Sequence, residues 1–195
     1  TRNRKKLAEL QRLVDPALGR HPVELVGLDD VPAYEEVPET GLTFAENALK
    51  KAREVSVATG LPAIADDSGL CVDVLNGMPG VFSARWAGRH REDDANLRLV
   101  LDQIADVPDR QRTAQFVCAA AFVLPDGRES VVEGRLDGHL IREPRGTGGF
   151  GYDPIFVSDG DSRTTAELDP TEKDATSHRG RAIRALTPIV VELLS

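Results

Sequence analysis

Residues 114–140 read AQFVCAAAFVLPDGRESVVEGRLDGHL, and they predict the central element of the fold. Two segments of strand-like composition, 114–124 and 129–140, flank the sequence PDGR at 125–128. Because Pro, Asp and Gly are typical turn residues, we predict a long β-hairpin here. The hairpin also contains the longest apolar run, eight residues over 117–124. A membrane helix needs roughly 18 such residues, so no membrane span is predicted.

Helices and shorter strands are predicted on both sides of the hairpin. Apolar spacing predicts helices over 4–14 and 93–104. Another helix is predicted to start at a capping box of Thr43 and Glu46 and to run through Ala58, with Gly60 at its carboxyl end. The last helix is predicted from His178 onward, with Ser177 as its cap and Pro188 kinking it or starting a new segment. Strands are predicted over 23–28, 62–65, 70–74 and 155–157. These elements do not alternate strictly as βαβ units, so the fold class is α/β with a mixed β-sheet and flanking helices.

Composition restricts the class of protein. A chain of 195 residues with 41% hydrophobic and 29% charged residues is typical of one globular domain or of two small joined lobes. The amino end, TRNRKK, predicts no signal peptide. Cys71 and Cys118 lack metal-ligand spacing, which favours a reduced, cytoplasmic setting. The net charge of −8 disfavours a binder of nucleic acid or of acidic membranes.

The charges are unevenly distributed along the chain. Basic residues gather at 1–12 and 171–184, whereas 29–39 is acidic. Most of these side chains are compatible with an ordinary solvated surface. The alternative is an anion site built from the two chain ends, with the acidic segment holding a metal.

Three further segments could carry chemistry. The sequence DDSG at 66–69 lies between two predicted strands, where it is either a turn or, with Glu39, an oxygen-rich site for a hard cation such as Mg²⁺. The loop GTGGFGYD at 146–153 lacks a P-loop ending, and Phe150 within it is either core or a stacking surface for a base. The sequence SHR at 177–179 is either a solvated helix cap or a phosphate or base contact.

Six segments follow one another along the chain: TRNRKK (1–6), ETGLTFAENA (39–48), ADDSGL (65–70), GMPGVFSAR (77–85), GTGGFGYDP (146–154), and AE (166–167) with Lys173 leading to SHR (177–179). In this order they together resemble the inosine/xanthosine triphosphate pyrophosphatase family. In that family a short strand precedes the first segment, and the expectation is that this chain lacks it. Trp86 replaces another aromatic residue. The resemblance covers nearly the whole chain, so 1–195 is expected to be a single pyrophosphatase domain with two lobes.

The resemblance implies a fold and a reaction. The fold is a two-lobed mixed sheet with the active-site cleft between the lobes, usually in a homodimer. The reaction is Mg²⁺-dependent hydrolysis of ITP, dITP or XTP between the α and β phosphates. The products are the nucleoside monophosphate and pyrophosphate.

The resemblance also implies roles for individual residues. Glu39 and Asp67 would hold Mg²⁺ with Asp66 in support, and Asp67 would activate the attacking water. The remaining expected substrate contacts, to phosphates or base, are Thr1, Arg2, Asn3, Arg4, Lys5, Lys6, Lys51, Ser68, Phe150, Gly151, Tyr152, Asp153, Lys173, His178 and Arg179. Phe150 would stack on the base. Donors such as Lys173 and Arg179 would favour the 6-oxo group of a deaminated purine over the 6-amino group of adenine.

Two alternatives stay open at the level of sequence. A nucleotide-sensing module would bind without hydrolysis, although it would not need Glu39, Asp66 and Asp67 together. A relative with the same fold could instead cleave pyrimidine or modified nucleotides.

Overall fold

A computed structural model of the chain describes residues 11–12, 25–31, 38–89 and 92–194. The predicted helix over 4–14 therefore lies outside the described residues except for 11 and 12, which are helical. The predicted strand over 23–28 is wrong in its described part, because 25–28 contain no strand. The reason is local: the Asp30 carboxylate accepts from the Gly27 amide at 3.3 Å, and the Asp30 amide donates back to the Gly27 carbonyl at 3.1 Å. These bonds close a turn.

Helices and strands alternate irregularly along the described chain. Their bounds are α1 (Phe44–Thr59), β1 (Ala63–Val72), β2 (Met78–Pro79), α2 (Asp93–Gln103), β3 (Thr113–Val123), β4 (Glu129–Leu140), β5 (Phe156–Ser158), α3 (Pro170–Thr176) and α4 (His178–Leu194). The five strands form one sheet in the order β2-β1-β3-β4-β5. The predicted α/β class with flanking helices is confirmed. None of the helices among the described residues has both the length and the apolar character to cross a bilayer.

The predicted hairpin is confirmed as β3 and β4. The Leu124 amide donates to the Arg128 carbonyl at 2.9 Å, and the Gly127 amide donates to the Leu124 carbonyl at 3.0 Å. Gly127 has φ 90°, a backbone conformation that glycine adopts without strain. On its far side β4 pairs antiparallel with β5, with Gly138 opposite Ser158.

The segment DDSG does not form a turn. A single strand, β1, runs through 66–69, so the prediction of two separate strands is wrong, and the turn that was one of two alternatives for this segment does not form. Both carboxylates have cationic partners, Lys51 at Asp67 and Arg179 at Asp66. With the charges compensated, extended backbone can continue through two adjacent acidic residues.

Capping residues mark the starts of two helices, α1 and α3. Thr43 accepts from the Glu46 amide at 3.1 Å as predicted, whereas the Glu46 carboxylate accepts from Leu42 and not from Thr43 itself. Helix α4 continues through Pro188, so no new segment starts there. Helix α3 was not predicted, although Asp169 and Glu172 at its start form a reciprocal capping box.

The chain divides into two compact units, each with its own core. The first comprises 1–67, 118–134 and 179–195, and the second comprises 68–117 and 135–178. In the first unit, alternate residues of β3 and the residue that follows the strand pack against residues of α4 spaced by about one helical turn. The cluster comprises Cys118, Ala120, Phe122, Leu124, Ala182, Ile183, Leu186 and Val190. In the second, α2 and the strands bury Leu70, Val72, Leu97, Val100, Ile104, Ala114, Phe116, Leu136, Leu140, Tyr152, Ile155 and Phe156.

Gly138 allows β4 and β5 to approach closely. A Cβ atom at this position would meet the Val157 carbonyl oxygen and would lie 2.8 Å from Cζ of Phe156. We expect Gly138→Ala to reduce the free energy of unfolding by about 1–3 kcal/mol, because backbone and ring must move apart. Denaturant unfolding would measure this. His139→Ala, at an exposed position of the same strand, is the control, and equal stability of the two variants would contradict the prediction.

Candidate functional site

Lys51 binds two carboxylates in the first unit. Its Nζ donates to Glu39 Oε1 at 3.0 Å and to Asp67 Oδ1 at 2.9 Å. Helix α1 carries Lys51, β1 carries Asp67, and Glu39 lies in the segment before the helix. The side chain of Asp67 is only 10% exposed, against 28% for Lys51 and 29% for Glu39. The structure thus brings together three of the predicted site residues.

Asn47 completes this arrangement one helical turn before Lys51. Its Nδ2 donates to Asp67 Oδ2 at 3.1 Å, and its Oδ1 accepts from the Gly41 amide at 2.8 Å. Asn47 is 1% exposed, and residues four apart on a helix share a face. Both oxygens of Asp67 are therefore bonded by α1, while Asn47 also fastens the segment that carries Glu39.

The surroundings shift the pKa values of Asp67 and Lys51. Burial raises the pKa of Asp67 above its ordinary value, because the cost of removing the charged carboxylate from water exceeds the stabilisation of that charge by Lys51 and Asn47. Burial lowers the pKa of Lys51, but the carboxylates, Asp67 foremost, raise it further, and the net pKa of Lys51 is above its ordinary value. Lys51 is thus held as a cation beside a carboxylate that accepts a proton more readily than an exposed one.

Asp66 has a different partner. Successive residues of a strand point to opposite faces, and Asp66 Oδ2 accepts from Nε of Arg179 at 3.2 Å. Arg179 lies in the first turn of α4 and is 2% exposed. The structure therefore pairs Asp66 with Arg179, whereas Glu39 and Asp67 bond Lys51.

The donor set around Lys51 fits a hard cation. Mg²⁺ in proteins is commonly bound by one or two carboxylates together with water and substrate phosphate. Glu39 and Asp67 meet at a single ammonium group, so two carboxylate oxygens already converge on one positive charge. Among the residues that the structure describes, no three His, Cys, Asp or Glu side chains form a metal-binding cluster. The fit is therefore to a two-carboxylate site that leaves further positions to other ligands.

Asp153 organises the glycine-rich loop of the second unit. It is 4% exposed, and its Oδ2 accepts from Lys173 Nζ at 2.6 Å and from the Phe150 amide at 2.8 Å. Its Oδ1 accepts from the Thr165 hydroxyl at 2.8 Å. Lys173 Nζ also lies 5.3 Å from the centre of the Phe150 ring, within range of a cation–π contact. Phe150 itself is half-buried and is not among the buried core residues.

The next two loop residues are anchored from other elements. The Gly151 amide donates to Asp93 Oδ2 at 2.9 Å, which ties the loop to the start of α2. Tyr152 packs in the core of the second unit, and its hydroxyl donates to the Ser83 carbonyl at 2.9 Å. Burial raises the pKa of this hydroxyl. These contacts fix the loop backbone around Phe150.

The other predicted site residues lie as follows. Ser68 is half-buried in β1. His178 is 8% exposed and stacks on Phe116, with ring centres 4.8 Å apart and planes at 14°. Thr1, Arg2, Asn3, Arg4, Lys5 and Lys6 lie outside the described residues.

Two buried residues of these networks were not assigned roles from the sequence. Asn47 stands inside a quoted motif, and its position four residues before Lys51 was an available signal. Thr165 lies next to the AE motif but has no local pattern that indicates a function. The bonds that define their roles, from Asn47 to Asp67 and from Thr165 to Asp153, join residues distant in sequence.

Gly149 leaves room for the Asp153–Lys173 pair. It has φ 70°, and a Cβ atom there would meet Asp153 Oδ2 and lie 2.9 Å from Lys173 Nζ. We expect Gly149→Ala to reduce the rate of dITP hydrolysis, the reaction that the resemblance implies, about tenfold or more, because Asp153 and Lys173 must separate. Gly160→Ala, also at positive φ but with open space around it, carries the backbone strain alone and is the control. Equal activity of the two variants would refute the expectation.

Comparison with known proteins shows to which family the chain is related. A model of the Ham1 family matches residues 1–189. A dITP/XTP pyrophosphatase of Streptomyces coelicolor is 62% identical over 195 residues, covering 100% of this chain and 96% of that protein. A dITP/XTP pyrophosphatase of Nocardia farcinica is 60% identical, covering 99% and 93%.

Solved structures agree with the sequence relatives. A nucleoside-triphosphatase / dITP/XTP pyrophosphatase of Mycobacterium abscessus superimposes with a TM-score of 0.80 at 60% identity, covering 97% of this chain and 96% of that one. A HAM1 protein of Coxiella burnetii gives a TM-score of 0.86 at 42% identity, covering 98% and 96%. The resemblance that the six motifs predicted is thereby confirmed, and the chain belongs to the Ham1 family.

Proposed function

We propose that this protein hydrolyses the triphosphates of deaminated purine nucleosides, dITP, ITP and XTP, to the monophosphate and pyrophosphate, with Mg²⁺ as cofactor. The names of the relatives, dITP/XTP pyrophosphatase, support the substrate class and the reaction. The observation that carries the chemistry is the bonding of Glu39 and Asp67 to one ammonium, that of Lys51. Two carboxylates beside an ammonium group would suit a bound cation and the phosphates of a nucleotide.

We assign the phosphate chemistry mainly to Glu39, Lys51 and Asp67. Glu39 and Asp67 would hold Mg²⁺, which when bound neutralises phosphate charge. Lys51, kept cationic by its carboxylate neighbours, would donate to phosphate oxygens. Ser68 and the residues Thr1 to Lys6 would add further phosphate contacts, and Asp66 would support the site through its bond to Arg179.

Asp67 is the proposed general base. It would orient a water molecule and accept its proton as the oxygen bonds to phosphorus and the bond to the pyrophosphate leaving group breaks. A raised pKa suits this task, since a base is most effective when its pKa approaches the working pH. Asn47 would hold the carboxylate in place.

Recognition of the base is assigned to Phe150, Gly151, Tyr152, Asp153, Lys173, His178 and Arg179. The Phe150 ring would stack on the purine, and Lys173 would donate to its 6-oxo group. Adenine presents a 6-amino donor instead, so a site of donors would leave it with unsatisfied groups.

The pKa of Asp67 makes a prediction for the pH profile. Lys51 lowers this pKa, so Lys51→Met should raise it further above its ordinary value. Because the carboxylate is the active form, the acid limb of the kcat/KM profile should move to higher pH, along with a loss of rate. Arg53→Met removes another cation of α1, one that pairs with Glu129 on an exposed surface, and it should leave the limb in place. An unmoved limb in Lys51→Met would contradict the role given to Asp67.

A substrate panel tests the proposal. Pyrophosphate release would be measured from dITP, ITP, XTP, dATP, dGTP and dCTP, with Mg²⁺ and with a chelator. We expect rapid release from the first three with Mg²⁺ only. Because guanine shares the 6-oxo group, rejection of dGTP must come from its 2-amino group. Binding of dITP without release would indicate a nucleotide sensor, and preference for dCTP would indicate a pyrimidine-cleaving relative.

The same proposal includes a cytoplasmic homodimer that acts on free nucleotides and not on nucleic acid. The net charge of −8 supports the last point. Light scattering would measure the mass in solution, and a monomer at working concentration would overturn the dimer.

A further inference from the structure

The Asp153 carboxylate has two oxygens with different tasks. Oδ2 binds the two groups that surround the proposed base site, Lys173 Nζ and the Phe150 amide. Oδ1 accepts from the hydroxyl of Thr165 at 2.8 Å. The direction of Oδ2 therefore depends on what holds Oδ1.

Thr165 is a rigid anchor for this bond. Its amide donates to the Phe156 carbonyl at 2.9 Å, and the preceding residue, Thr164, forms a β-bridge with Val157. The side chain is 3% exposed, and its hydroxyl also lies 3.2 Å from the Asp153 carbonyl. The shorter distance and the charge of the carboxylate favour donation to Oδ1.

Rotation of the carboxylate would disturb the base site. The terminal torsion of an aspartate is broad, so a carboxylate without a fixed bond at one oxygen turns easily. If Asp153 turned, Lys173 would lose its position 5.3 Å from the Phe150 ring centre, and the Phe150 amide would lose its acceptor.

We infer, on the basis of the proposed function, that Thr165 is a positioning residue for base selection. Its hydroxyl fixes the Asp153 carboxylate so that Oδ2 holds Lys173 and Phe150 in the arrangement that distinguishes a 6-oxo from a 6-amino purine. Thr165 itself does not touch the nucleotide.

Thr165→Val removes the hydroxyl with little change of shape and is the main test. We expect KM for dITP to rise about tenfold with kcat changed less than about threefold, and the dITP/dATP ratio of kcat/KM to fall about tenfold. Thr165→Ser keeps the hydroxyl and should restore the ratio to within about twofold. Thr164→Val is the matched control, because the Thr164 hydroxyl is equally buried but donates to the Arg145 carbonyl.

Several results would overturn the inference. An unchanged ratio in Thr165→Val, or an equal fall in Thr164→Val, would do so. If Thr165→Val does not fold, Thr165→Ala takes its place; failure of both to fold, with Thr164→Val folded, would make the hydroxyl purely structural.

Calorimetry of dIMP and dAMP binding to the same variants separates this inference from the proposed function. This binding measurement needs no hydrolysis. A wild-type protein that binds dIMP in preference to dAMP but does not hydrolyse dITP would therefore overturn the proposed function and leave the inference about Thr165 standing. A wild-type preference for dIMP that persists undiminished in Thr165→Val would overturn the inference alone.

Discussion

Asp67→Asn is expected to lower kcat by a factor of roughly 30 to 1000, equivalent to about 2–4 kcal/mol of barrier. The substitution keeps the shape of the side chain and an oxygen that can accept from Asn47 or Lys51. It removes the negative charge that would bind Mg²⁺ and the base that would accept a proton from water. Phosphoryl transfer depends mainly on positioning and charge, so both losses act on the chemical step.

The control is Glu129→Gln. Glu129 also pairs with a basic residue of α1, Arg53, but on an exposed surface, so the variant removes one charge without touching the proposed site. Its kcat should stay within about twofold of the wild type. Near-normal turnover of Asp67→Asn, with unchanged dependence on Mg²⁺, would refute the role of Asp67.

Lys173→Met should have the second-largest effect, a fall of about 100-fold in the dITP/dATP ratio of kcat/KM. The ammonium of Lys173 is the donor that Asp153 holds at 2.6 Å, beside the Phe150 ring. Without it the 6-oxo group of dITP loses a hydrogen bond from a charged donor, whereas dATP loses an unfavourable neighbour. The ratio therefore falls because kcat/KM for dITP decreases while kcat/KM for dATP increases.

Steady-state kinetics with the two nucleotides would measure this ratio. Arg128→Met removes an exposed cation that pairs with Asp126 in the hairpin turn, and it controls for net charge. An unchanged ratio in Lys173→Met, or an equal fall in Arg128→Met, would show that Lys173 does not select the base.

The elements that the sequence predicted well are those whose signals are local. The turn residues at 125–128 and the Thr43 cap act within a few positions, and the hairpin and α1 form where they predict. The predicted break between two strands at 66–69 is wrong for the opposite reason. Its carboxylates are compensated by side chains far away in sequence, such as Arg179, and a four-residue pattern contains no information about them.

The same distinction applies to the candidate site. Glu39 and Asp67 were predicted through the family motifs and Lys51 as a cation that offsets triphosphate charge, and the structure places their charged groups in contact. Asn47 and Thr165 were missed because each acts by holding another side chain. Residue type and spacing indicate which groups can react, but the groups that hold them depend on tertiary contacts.

Product analysis of dITP hydrolysis tests the central claim most directly. Wild-type protein with Mg²⁺ would be incubated with dITP and with dATP, and the nucleotide and phosphate products would be quantified by chromatography. We predict dIMP and pyrophosphate in equal amounts, with kcat/KM for dATP at least about 100-fold lower. Release of dIDP and inorganic phosphate, or equal hydrolysis of dATP, would contradict the account.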